Sequence, residues 1–129
     1  MSKKWVYEAI RTEDGVQAFV VVQNGSDVTI REPLPHIERH SPTGFEFGYG
    51  GSGPADLAYS ILTHWFLSYG FTKAEAEEQA SIHYYNFKWS FVAAEKSKRL
   101  VISDEEIENW WIEHEEAREK TLVATKGGE

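Results

Sequence analysis

The stretch Gly48-Tyr49-Gly50-Gly51-Ser52-Gly53-Pro54 divides this chain into two parts of different character. Ahead of it lie short runs of β-forming residues. Directly behind it Leu57, Ala58, Ile61, Leu62, Trp65 and Phe66 recur at three- and four-residue spacing, the period of a helix with one buried face. Strands grouped first and helices grouped afterwards predict an α+β domain, a small antiparallel meander packed against two to three helices.

Four of the chain's ten glycines sit in this stretch. Glycine costs backbone entropy, so such a cluster implies positive φ or the close approach of another backbone or a ligand. Pro54 suits the first helical position, which makes Gly53 the N-cap and puts Asp56 third, where its carboxylate would satisfy free N–H groups. A glycine loop feeding a helix N-terminus presents backbone donors at the positive end of a dipole, which suits an anion. The ligand-binding candidates are therefore Phe47, Gly48, Tyr49, Gly50, Gly51, Ser52, Gly53 and Asp56, with Ser52 and Tyr49 the side chains best placed to help. The competing reading is a rigid loop whose glycines allow close packing under Phe45, Phe47 and Tyr49.

Gly48, Gly50 and Gly53 formally match the dinucleotide fingerprint G-x-G-x-x-G, but the fingerprint needs a βαβ unit with a buried parallel strand, and none surrounds them. The Gly-Lys-Ser/Thr ending of a phosphate-binding P-loop is also missing. Ser52 stands in Gly50-Gly51-Ser52-Gly53-Pro54, not in the Gly-x-Ser-x-Gly turn of a hydrolase nucleophile. No catalytic residue is assigned.

Upstream, Lys4 to Ile10 and Val16 to Val22 are rich in β-formers, with Asp14-Gly15 and Asn24-Gly25 as turn signals and Val28 to Ile30 as a short third strand. The segment 33–53 contains three prolines and the glycine cluster, so an irregular loop of about twenty residues is expected, more often functional than idle. Downstream, Gly70 is a C-terminal stop for the first helix, and Thr72-Lys73-Ala74-Glu75 is a capping box opening a second. That helix carries Ala76, Ala80, Tyr84, Phe87 and Phe91 along one stripe and is expected to reach about Ala94. Leu100 to Ile102 is a strand candidate. Ser103-Asp104-Glu105-Glu106 is a second capping box, and Ile107, Trp110, Trp111, His114 and Ala117 mark the buried stripe of a last helix. The chain reads as one domain, 1–129: meander 1–32, loop 33–53, mainly helical 54–120, flexible tail 121–129.

Apolar content of 41% and aromatic content of 14% argue against disorder. A net charge of −8 disfavours a protein that tracks nucleic-acid phosphates. With no cysteine there is neither a disulfide framework nor thiol chemistry. No signal-like or membrane-spanning run is found, so a cytoplasmic location is expected, with no membrane, no cofactor and no metal. His36 and His40 flank Glu38 with a chelating spacing, but Pro33, Pro35 and Pro42 oppose a helix there. His64, His83 and His114 read as partly buried histidines bonding a neighbour. The last helix is strongly acidic; Trp110 and Trp111 are adjacent, and one of them exposed beside the acids would be a hot spot for a protein partner.

The segment Ser41 to Ala58 resembles the signature of a small bacterial and phage family of unknown function, whose members typically read SPTGFEWGYGGSGPAxLA; Phe47 stands where the usual residue is Trp. Tyr7 to Arg11 and Val20 to Gly25 look like the family's upstream part, and Phe87-Lys88 to Ala93 like its downstream part, so the resemblance spans about residues 5–110. It carries no activity. It implies context, since short acidic proteins shared by phages and bacteria are often accessory factors in host–phage conflict, anti-defence included. The leading functional expectation is a non-enzymatic binder of a phosphorylated small ligand, a nucleotide or nucleotide-derived immune signal. In it Gly50 to Gly53 hold phosphate and Tyr49 or Phe47 stacks on a base. The alternatives are an acidic inhibitor of a host nucleic-acid machine acting through its last helix, and a small phosphodiesterase or nuclease using Glu46, Asp56 or His40. A homo-oligomer is compatible with each.

Overall fold

The computed structural model of the protein describes residues 5–24, 28–39 and 44–127. Strands β1 (Trp5–Thr12), β2 (Gly15–Asn24) and β3 (Val28–Pro33) form the expected meander, and β4 (Arg99–Ser103) joins it beside β1. The sheet therefore has four antiparallel strands in the order β3-β2-β1-β4 rather than three. The β1–β2 turn works as its sequence suggests: Gly15 adopts φ +111°, and the Thr12 hydroxyl donates to the Gly15 carbonyl at 3.1 Å. The Asn24-Gly25 turn signal runs into residues 25–27, outside the described residues.

Strand alternation sorts the sheet into two faces. Tyr7, Ala9, Ala18, Val20, Leu100 and Ile102 are buried and face α1 (Ser52–Ser68). The small pair Ala9 and Ala18 sits opposite in register, which leaves room for the helix to approach. On the other face Glu8 is held between Arg31 and Arg99, with Arg99 Nε donating to its carboxylate at 2.6 Å. Helix α2 (Lys73–Phe87) and a π-helical turn (Lys88–Val92) pack on the far side of α1, and α3 (Asp104–Gly127) closes one edge, its first turns beside β1 and β4 and its Trp111 against Trp65 and Phe66 of α1. That places α1 between two layers, and it is buried on almost every side.

Beyond the start of α1, the punctuation of the helical part is as read from the residues. Gly70 at φ +98° ends α1 in a Schellman motif: its N–H reaches the Leu67 carbonyl at 3.1 Å, and that of Phe71 the Phe66 carbonyl at 3.2 Å. The Phe66 and Phe71 rings stack at 5.2 Å across it. Both capping boxes close, Thr72 with Glu75 and Ser103 with Glu106. The second helix continues as far as Val92, close to the expected end, through its π turn. Helix α3 runs to Gly127, over most of the stretch that composition reads as a tail.

Sheet and α1 are also joined by a polar chain. Trp5 Nε1 donates to the Tyr7 hydroxyl at 2.9 Å, which pairs with His64 Nδ1 at 2.7 Å. Burial holds the Tyr7 pKa far above its usual value, so the phenol stays neutral and donates. Burial also lowers the His64 pKa from 6.5, partly offset by the charge of Glu32. Below pH 6.5 the unfolded chain therefore takes up a proton that folded His64 resists, and stability falls as pH drops through that value. The melting temperature of the wild type should decline more steeply between pH 7 and about pH 5 than that of His64→Gln, whose slope lacks this contribution.

Candidate functional site

The glycine loop does not hang free; it is docked on the end of the second helix. Gly48 donates its N–H to the Val92 carbonyl at 2.9 Å, at the end of the π turn, where a helix leaves its last carbonyls without partners. The turn itself is closed by Ala93 N–H to the Lys88 carbonyl at 2.8 Å, five residues back. Lys96 Nζ reaches the Gly48 carbonyl at 2.5 Å. On the other side Arg11 clamps the loop: its guanidinium donates to the Phe47 carbonyl at 2.5 Å and to Glu46 at 3.2 Å, and lies 4.3 Å from the Phe47 ring centre.

Each of the four glycines answers to a neighbour within the protein. Gly48 alone among them has a positive φ, +90°, and a Cβ there would also stand 2.9 Å from the Glu95 carbonyl oxygen. At Gly50 a Cβ would lie 2.2 Å from the Trp89 ring, and at Gly51 2.6 Å from the Tyr49 ring. At Gly53 it would meet Glu46 Cβ at 2.8 Å, where residues 44–47 cross the first turn of α1. Close approach explains three of the glycines and left-handed backbone only one.

The start of α1 differs from the sequence reading. The N-cap is Gly51, the helix begins at Ser52, and Pro54 is its third residue. Proline fits there because that N–H has no partner within the helix anyway. Asp56 is therefore not a cap. It is fully buried in the following turn and bonds His36 Nε2 at 2.9 Å and the Arg39 N–H at 3.2 Å. With Ile37 N–H bonded to Ser60 Oγ at 3.0 Å, this carboxylate anchors the 34–39 segment onto α1. Unlike α2 and α3, α1 has no side-chain cap and no acidic residue in its first turn.

The remaining candidates divide by exposure. Phe47 is fully buried beneath Arg11 and presents no face for stacking; Gly53 is buried as well. Ser52 is exposed at the helix start, and Tyr49 is 51% exposed. Beside Tyr49 the structure brings up two residues that the sequence reading missed as site residues, Trp89 at 50% and Tyr85 at 57% exposure. Their rings meet edge to face at 6.3 Å, and the ammonium of Lys88, whose side chain is largely buried, lies 4.8 Å from one centre and 4.9 Å from the other. The alternation of Phe87, Trp89 and Phe91 was the available signal; across a π turn it leaves Phe87 buried and Trp89 outside.

Other expectations take definite places. Glu46 is committed to Arg11, Asp56 is inaccessible, and His40 lies outside the described residues. His83 and His114 bond each other at 3.0 Å. Trp110 and Trp111 are both partly buried: Trp110 packs on Phe87 and stacks on His114, and Trp111 packs on Phe66 and His83. Among the described residues no group of three His, Asp or Glu side chains is placed to hold a metal ion, and no helix is long and apolar enough to cross a membrane.

The fold and loop together define a small α+β domain with an aromatic surface built around a docked glycine loop. The chain belongs to a family of unknown function, DUF6166, whose model matches residues 7–113. Neither the curated proteins nor the solved structures yielded a match.

Two substitutions separate the roles of the glycines. Gly48→Ala combines a strained φ with a backbone contact that cannot yield, so it should lower stability by about 1 kcal/mol or more in denaturant unfolding. Gly50→Ala meets the far end of the Trp89 side chain; it should shift tryptophan emission while costing clearly less stability than Gly48→Ala.

Proposed function

We propose that the protein is a non-enzymatic binding protein for a small ligand that joins a flat ring to a phosphate, a nucleotide or a nucleotide-derived signal. The observation that carries this reading is the contiguous exposed surface of Tyr49, Trp89 and Tyr85 around Gly50, next to an α1 N-terminus that no side chain of its first turn fills. Aromatic faces held in place by packing stack on bases at little entropic cost, each stacked base contributing about 1–3 kcal/mol. Ser52 and the first-turn amides supply donors at the positive end of the helix dipole. Lys88 adds positive charge at the back of the platform. The ligand set is thus Tyr49, Gly50, Gly51, Ser52, Tyr85 and Trp89, with Phe47 and Asp56 as supports for the loop and helix. The accessory role in host–phage conflict belongs to the same proposal, as capture of such a signal by a small protein.

Thermal-shift titration with adenosine monophosphate, a cyclic dinucleotide, adenosine and inorganic phosphate tests the reading. At 100 times its Kd a ligand adds about 2.7 kcal/mol, a shift of several degrees in a domain of this size. The nucleotides should stabilise more than adenosine or phosphate alone. Trp89→Ala should abolish most of the shift while leaving the apo melting temperature nearly unchanged, and Ser52→Asp should weaken nucleotide binding more than adenosine binding. Equal responses of Trp89→Ala and wild type would contradict the assignment.

A further inference from the structure

A concavity lies at the opposite end of the molecule from the glycine loop, between the first turns of α3 and the sheet. It has a volume of about 600 Å³, within the range of pockets that hold a ligand or a set of side chains. Its apolar part is formed by Trp5, Val6 and Val21 from β1 and β2 and by Ile112, which is 47% exposed on α3. Among the described residues, every ionisable one lining it is an acid: Asp104, Glu105 and Glu108. The first two complement the helix dipole, but Glu108 stands a turn further on. Asp104 and Glu108 converge on one hydroxyl, that of Tyr69, whose pKa is pushed up to about 12 by burial and then by these two carboxylates. Like charges four residues apart on a helix repel each other, and among the described lining residues there is no cation to relieve them.

We infer that this groove is the docking site for a segment of a partner protein that carries Lys or Arg beside apolar side chains, the cation set against Asp104, Glu105 and Glu108 and the apolar group against Val6, Val21 and Ile112. Charge selects this occupant over a second copy of the chain, whose net charge is −8. The half-exposed Ile112 at the rim selects an occupant with apolar surface over a free inorganic cation. On the acidic helix Trp110 and Trp111 are partly buried, whereas the exposed apolar residue at the groove is Ile112. The site is remote from the glycine loop in sequence and shares no residue with the ligand set proposed above, so either can fail without the other.

Short synthetic peptides alternating Lys with Leu, Lys with Ser and Glu with Leu, titrated calorimetrically at low and moderate salt, provide the test. The Lys/Leu peptide should bind, the Glu/Leu peptide should not, and the Lys/Ser peptide should bind at least about tenfold more weakly. Glu108→Gln and Ile112→Ser should each weaken Lys/Leu binding by roughly tenfold with melting temperatures close to wild type. The charge-matched control Glu78→Gln, exposed on α2, should leave it unchanged. Equal loss in that control, equal binding of the Lys/Ser peptide, no binding at all, or a self-associating protein that occupies the groove with its own copy would each overturn the inference.

Discussion

The hydrogen bond from Gly48 to the Val92 carbonyl ties the glycine loop to the end of the second helix, and the architecture of the candidate site follows from it. A helix that stops inside a protein leaves carbonyls that must find donors. Here the donor comes from a loop far away in sequence, and it can approach because Gly48 lacks a Cβ where the Glu95 carbonyl passes. Once that contact is made, Gly50 is brought under Trp89, Gly53 under residue 46, and the start of α1 is fixed beside the π turn. Arg11 and Lys96 then hold the loop carbonyls from two sides. The glycines are read by the protein itself, and what they leave for a ligand is the aromatic surface they permit.

Two buried polar arrangements secure the frame around that contact. Asp56 binds the 34–39 segment to α1, so the chain leaving the sheet is fixed before the loop begins. The bonded series Trp5, Tyr7 and His64 joins the sheet to the other end of the same helix. Both use polar groups inside a core of aromatic and aliphatic side chains, and both satisfy those groups, which burial otherwise makes costly. Helix α1 is thereby gripped near each end by polar bonds and along its length by apolar packing. Its first residue, Ser52, is exposed ahead of both.

Much of this was legible before the structure. Hairpin chemistry at Gly15, the Schellman stop at Gly70 and the boxes at Thr72 and Ser103 are local signals, decided within a few residues, and the fold class followed from them. The pairing of β4 with β1 was not legible, because nothing local to Leu100–Ile102 names its partner. Position within the first turn of α1 was misread for a related reason: proline is tolerated wherever a helix N–H lacks a partner, so Pro54 fits the third residue as well as the first. That shift of two residues moved Asp56 from a cap to a buried anchor. Trp89 and Tyr85 were missed because the platform joins a loop to a helix roughly forty residues later, and the π turn that sets Trp89 outward has no sequence signal comparable to a capping box. Phe47 was read as a stacking face; its burial under Arg11 depends on a strand whose proximity only the fold supplies.

Native-state hydrogen exchange at the Gly48 amide tests the docked loop most directly. Protection should approach that of amides in β1 and α1, with exchange through global or near-global unfolding and a marked loss of protection at Trp89 and its neighbours when Gly48→Ala breaks the contact. Exchange of the Gly48 amide at the rate of an exposed loop, with α2 and its π turn fully protected, would mean that the loop is not held there, and the account of the site built on it would be wrong.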